Sequence, residues 1–198
     1  MLRRSLTLLM AVVLMAGLAS AATAARVHIR IEGRTTTIFG ATQPNVSAST
    51  PLDALGVAAR EGEFYYHVTQ TSYGPYVDEI GLYHAFGSSG WAFKVNGVSP
   101  PVAADEYKLK PGDTVLWYWA FFGLHGGPKT LELEHAGHDC YRVFARDDNG
   151  KKVPAPGAVL HAGHHHVKTH HDVGCVDHRY GVLVRATLPG DVRSNELR

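Results

Sequence analysis

Turn-forming residues recur so closely along this chain that neither a long helix nor a long strand has room to form. The 198 residues include 21 Gly and 10 Pro, and these gather at Glu32-Gly33-Arg34, Asn96-Gly97, Pro111-Gly112-Asp113, Gly126-Gly127-Pro128, Pro154-Ala155-Pro156-Gly157 and Pro189-Gly190-Asp191. Glycine opens positive φ, and proline fixes φ while removing an amide donor, so each cluster marks a turn. Between them lie short apolar runs. Val27, Ile29 and Ile31 alternate with polar neighbours in residues 26–33, which predicts a half-buried strand, and residues 35–39 read as its hairpin return. A polar, small-residue stretch follows over residues 43–50. Further strands are predicted over residues 64–70, 76–83, 91–95 and 114–122, with Asn96-Gly97 as a type I′ hairpin turn.

One helix interrupts the strands. Thr50 suits its N-cap, Pro51 its first position, Asp53 the acidic place of a capping box and Gly62 its stop. Leu52, Leu55, Ala58 and Ala59 share one face at helical spacing, so packing against a sheet is expected. Gly126-Gly127-Pro128 ends this pattern. Beyond it, strand-like pieces at residues 131–135, 141–145, 158–160, 180–186 and 192–198 suggest a small sandwich.

The first 25 residues stand apart. Arg3 and Arg4 precede an uncharged apolar stretch, Leu6 to Leu18, and then small residues that include Ala22-Thr23-Ala24. That order is a secretory signal, and the apolar part is short for a membrane span. Its removal lowers the basic residues from 19 to 17 against 18 acidic, a net charge of −1. No concentrated basic face remains to replace counterions on nucleic acid, and no later run is long enough for a membrane helix. Export to a secreted or cell-surface location favours a disulfide between Cys140 and Cys175 over metal ligation by them. The expected organisation is a signal peptide over 1–25, an α+β domain over 26–126 and a small β domain over 127–198.

Across the first of these domains runs an ordered series of motifs: V-H-I-R-I-E-G at 27–33, T-P-L-D-A-L-G-V-A-A at 50–59, Tyr76-Val77-Asp78-Glu79-Ile80-Gly81, Gly90-Trp91-Ala92-Phe93-Lys94-Val95-Asn96-Gly97 and Tyr107-Lys108-Leu109-Lys110-Pro111-Gly112-Asp113. This series resembles the transcobalamin C-terminal-like domain, the family built around the β-domain of transcobalamin and intrinsic factor. The resemblance implies a compact α+β domain of two small sheets and one helix. In vitamin carriers of the family, that domain closes over cobalamin held by a separate α-helical barrel. A helical-barrel protein or another cell-surface molecule is therefore the expected partner. The tail, notably Leu183 to Thr187 and Gly190 to Asn195, resembles the Ig-like repeat that follows this domain in actinobacterial proteins.

A corrin ring needs flat apolar contact for its faces and hydrogen-bonding groups for its rim amides. Tyr73, Tyr76, Trp91, Phe93, Trp117 and Trp119 are candidates for the first, and Ser72, Ser88 and Ser89 for the second. The competing reading makes Trp91 and Phe93 ordinary core residues. The run V-L-W-Y-W-A-F-F after Thr114 is apolar on both faces, so either both sides are covered or one meets a ligand or partner.

Seven histidines fall between His161 and His178, and His135-Ala136-Gly137-His138 recurs as His161-Ala162-Gly163-His164. His161, His164, His165, His166, His170 and His171 are candidate ligands for zinc or copper. Their spacing fits no structural zinc pattern, and a polar, partly mobile loop is the competing reading. There is no G-x-S-x-G elbow, no H-E-x-x-H and no phosphate-binding glycine loop. The sequence points to a non-catalytic binding module for cobalamin or a similar ligand, with a structural or adhesive module and a His-rich metal-binding protein as the alternatives.

Overall fold

A computed structural model describes residues 24–123, 126–177 and 181–198. The expected signal segment falls outside the described residues up to position 23, as does His178. The first part of the chain runs β1 (Ala25–Glu32), β2 (Thr37–Phe39), β3 (Asn45–Ala48), α1 (Pro51–Glu61), β4 (Tyr66–Thr71), β5 (Gly74–Ile80), β6 (Tyr83–His84), β7 (Ser89–Val95) and β8 (Thr114–Phe121). The second part runs β9 (Thr130–Gly137), β10 (Cys140–Arg146), β11 (Lys152–Pro154), β12 (Val159–Ala162), β13 (His165–Lys168), β14 (Val173–Cys175) and β15 (Val184–Thr187). This is a β-rich α+β fold of several small sheets, with one helix among the described residues.

The helix forms where its caps place it. Thr50 is extended at the N-cap and its hydroxyl accepts from the Asp53 amide at 3.1 Å, while Gly62 closes the C-terminus by donating to Ala58 O. Ala54, Leu55, Ala58 and Ala59 are buried on the face toward β1, β3 and β8.

The main sheet is ordered β2-β1-β8-β7, with β3 also on β1. β1 and β8 are parallel, pairing Ile29 with Val115 and Ile31 with Trp117; the other contacts of the sheet are antiparallel. β3 arises inside the polar stretch 43–50, where only Val46 and Ala48 turn inward. Asn96 (φ 53°) and Gly97 (φ 80°) make the tight turn after β7, as the type I′ geometry requires. A second sheet, β4-β5-β6, packs beside β7.

In the second part, β10 carries β9 along one edge, with β14 and β11 at the two ends of the other. A three-stranded sheet, β13-β12-β15, closes over it around Leu131, Leu133, Tyr141, Val143, Leu160 and Val184. Cys140 and Cys175 are register partners on β10 and β14 and form a disulfide. The His-rich segment differs from the loop that its composition suggests. It builds the β12–β13 hairpin, because Leu160 and Ala162 alternate with the histidines and are buried. The C-terminal stretch 192–198 contributes isolated bridges to Thr130 and Val184 rather than a strand.

Charged residues join the two parts. Glu32 is fully buried and accepts from Arg193 Nη2 at 2.7 Å, Arg30 Nη1 at 3.2 Å and the Thr37 hydroxyl at 3.0 Å. Lys94, also fully buried, donates to Asp147 O at 3.0 Å and Arg146 O at 3.3 Å and faces the Asp148 carboxylate at 3.3 Å. Burial pushes the Lys94 pKa down, and Asp148 opposes that shift.

Candidate ligand-binding cleft

The apolar-on-both-faces run in β8 has both faces covered. Trp117 is buried beneath α1, with its indole N–H donating to Pro51 O at 3.1 Å. Tyr118, one residue on, turns the other way and is buried with Leu116, Ala120 and Val192 against the second part of the chain. Trp119, on the same side as Trp117, is half-buried and keeps part of its ring open. Alternation along one strand sends neighbouring aromatics to opposite sides, and here each side has its own cover.

Cross-strand pairing sets the aromatic wall. Trp91 stands opposite Trp119, and Phe93 opposite Trp117, so all four project from one face of the sheet. Phe93 and Trp117 pack with ring centroids 5.2 Å apart, and Trp91 meets Trp119 edge-on at 5.8 Å. Tyr83 closes the second pair: its carbonyl accepts from the Trp91 indole at 2.8 Å. Trp91 is buried, whereas Phe93 and Trp119 are half-buried.

Beside β7, the edge strand of the main sheet, a cleft of ≈ 380 Å³ opens. Tyr76, Phe93, Trp117 and Phe122 line it, with Trp91 deeper and Pro100 opposite. Gly90 makes this wall possible, since a Cβ there would collide with the Tyr76 hydroxyl. Burial raises the Tyr76 pKa, with Asp78 adding to the shift. Asp78 itself accepts from the Thr69 hydroxyl at 2.7 Å and sits 2.8 Å from His67 Nδ1; His84 faces Glu79 instead.

The structure divides the nine candidate ligand residues. Tyr76, Trp91, Phe93 and Trp117 meet at this cleft. Ser89 and Trp119 line a second, glycine-edged cleft of ≈ 670 Å³ shared with Phe121, Arg34 and Arg193. Ser72 and Tyr73 lie in the exposed β4–β5 turn and Ser88 in the exposed turn before β7, and none of the three lines either cleft. Phe122, the last residue of the apolar run after Thr114, was not among the candidates although it lines the cleft. Sequence reasoning also missed the strongly exposed Leu82 and Phe86, isolated apolar residues in turns where periodicity carries no signal.

The candidate metal ligands are spread over the second part. His161 and His166 meet across the β12–β13 hairpin, and His170 meets His171 edge to face with centroids 4.3 Å apart. Among the described residues, no three His, Cys, Asp or Glu side chains are grouped to hold an ion.

No curated protein matches the chain. Residues 57–120 do match the family described as Domain of unknown function (DUF4430), a stretch that runs from within α1 to Ala120 of β8 and so contains Tyr76, Trp91, Phe93, Trp117 and Trp119.

Proposed function

We propose that this chain is an exported, non-catalytic binding module that supplies one half of a site for cobalamin or a ligand of like chemistry, flat and apolar on its faces with amides at its rim. The observation that carries the reading is the ≈ 380 Å³ aromatic cleft between Tyr76, Phe93 and Phe122. Apolar walls with a few polar groups at the edge are the usual make-up of a small-molecule site. A corrin is too large for this cleft alone, so one face or edge would enter it while the rest met a partner. The resembling family supplies that partner as an α-helical barrel. Exposed Tyr73, Phe86 and Phe121 offer apolar surface for it. Export is supported by the basic-apolar-small order of residues 1–25 and by the Cys140–Cys175 bridge.

Calorimetric titration with cyanocobalamin, alone and with an α-helical-barrel partner, tests this reading. One-to-one binding in either case, lost in Phe93→Ala, supports it; no heat in either case removes it. A second reading, a structural or adhesive surface module with an Ig-like second domain, is favoured by the buried Arg30–Glu32–Arg193 and Lys94 contacts, which join the two parts of the chain. Recovery of no cell-surface partner in a pull-down would count against that alternative.

A further inference from the structure

The β12–β13 hairpin sets two imidazoles face to face. His161 and His166 are register partners, so their side chains leave the same side of the sheet. Their Nδ1 atoms are 2.8 Å apart, and the rings cross edge to face with centroids 4.7 Å apart. The other nitrogen of His161, Nε2, lies 2.7 Å from the Thr187 hydroxyl on β15. With Nε2–H donating to that oxygen, His161 Nδ1 accepts from His166 Nδ1–H, and an ion would take the place of that shared proton. Two nitrogens at ~2.0–2.1 Å from one tetrahedral ion stand about 3.3 Å apart, so a shift of roughly half an ångström admits an ion between the rings.

We propose that His161 and His166 form a two-imidazole site for a divalent transition-metal ion, zinc or copper, with water in the remaining positions. Imidazole nitrogen suits both ions. The fold also separates this pair from the other histidines. His165 is adjacent to His166 in β13 and alternates to the opposite side. His170 and His171 meet edge to face beyond the strand. His164 is exposed in the turn that joins β12 to β13, two residues before His166. Arg185 stands opposite His161 on β15 and carries an unfavourable positive charge, partly neutralised by Glu196 at 3.5 Å. The site is therefore suited to reversible capture rather than to holding the fold together.

The test is calorimetric titration of the oxidised protein with ZnCl₂ and, separately, CuCl₂ near neutral pH. One equivalent of ion should bind, and His166→Gln, at an exposed position that leaves folding intact, should weaken binding at least about tenfold. His161→Gln should do the same, and Thr187→Val should weaken binding by a smaller factor. Replacing His170 and His171 together by Gln should change nothing. Electron paramagnetic resonance of the copper form should show nitrogen couplings that fall in number in His166→Gln. No uptake by the wild type, unchanged affinity in His166→Gln, or loss of binding in the His170/His171 double variant would each overturn the proposal.

Discussion

β8 is covered on its two faces by opposite kinds of chemistry. Val115, Trp117 and Trp119 face α1 and the β4-β5-β6 sheet, where nearly every contact is apolar. Leu116, Tyr118 and Ala120 face the second part of the chain. On that side a row runs across three strands from Arg30 through Leu116 to Lys94, and the next runs from Glu32 through Tyr118 to Ala92. The apolar face leaves an open cleft at its edge, because packing of rings tolerates an unfilled margin. The charged face leaves a gap as well, of ≈ 330 Å³ between Arg30, Leu116, Glu132 and Arg146, but its walls are ionic, and a buried ion without partners costs several kcal/mol. One face therefore offers rings to a ligand, and the other carries the charged contacts where the two parts meet.

The largest test of this contrast is to remove one partner from the charged face. Glu32→Ala leaves Arg30 and Arg193 without their shared carboxylate and should destabilise by about 3–5 kcal/mol. Urea unfolding should show it, with the two parts melting separately rather than together. A concerted transition at wild-type denaturant concentration would show that the ionic contacts do not couple them.

Reduction of Cys140–Cys175 should act on the second part alone. Its 35-residue separation corresponds to about 3–4 kcal/mol on the chain-entropy account. Hydrogen exchange should rise in β9–β15 and stay unchanged around Trp91 and Trp117. On the apolar face, Gly90→Ala drives a methyl into the Tyr76 hydroxyl and should cost about 1–3 kcal/mol while reshaping the cleft.

A further expected effect depends on pH. Hydrogen bonds from Arg146 and Lys152 outweigh burial at Glu132 and hold its pKa at about 2. Because the folded pKa lies below the unfolded one, this stabilisation is complete above about pH 5 and is lost as pH falls toward 2. Thermal melts across that window should slope less in Glu132→Gln than in the wild type.

The elements of the first part were legible where local chemistry determines them. Thr50, Pro51 and Gly62 announce α1, Asn96-Gly97 announces its turn, and alternation announces β1. The His-rich segment was not, because histidine carries little strand signal and only Leu160 and Ala162 betray the alternation. Lys94 and Glu32 look like solvent-facing residues in any window of their own strands. Their burial depends on a partner about 50 residues onward for Lys94 and about 160 for Glu32, which no local pattern encodes. For the same reason the aromatic wall could be read but its exposure could not: Trp117 and Tyr118 differ only in which side of β8 each takes.

The most direct measurement of the proposed role uses the three tryptophans, Trp91, Trp117 and Trp119, all of which stand in or beside the cleft wall. Cyanocobalamin bound there lies close enough to quench their emission. With the barrel partner present, the account predicts saturable quenching in the wild type that is lost in Phe122→Ala and kept in His166→Gln. Quenching that rises linearly without saturation, and equally in all three proteins, would contradict it.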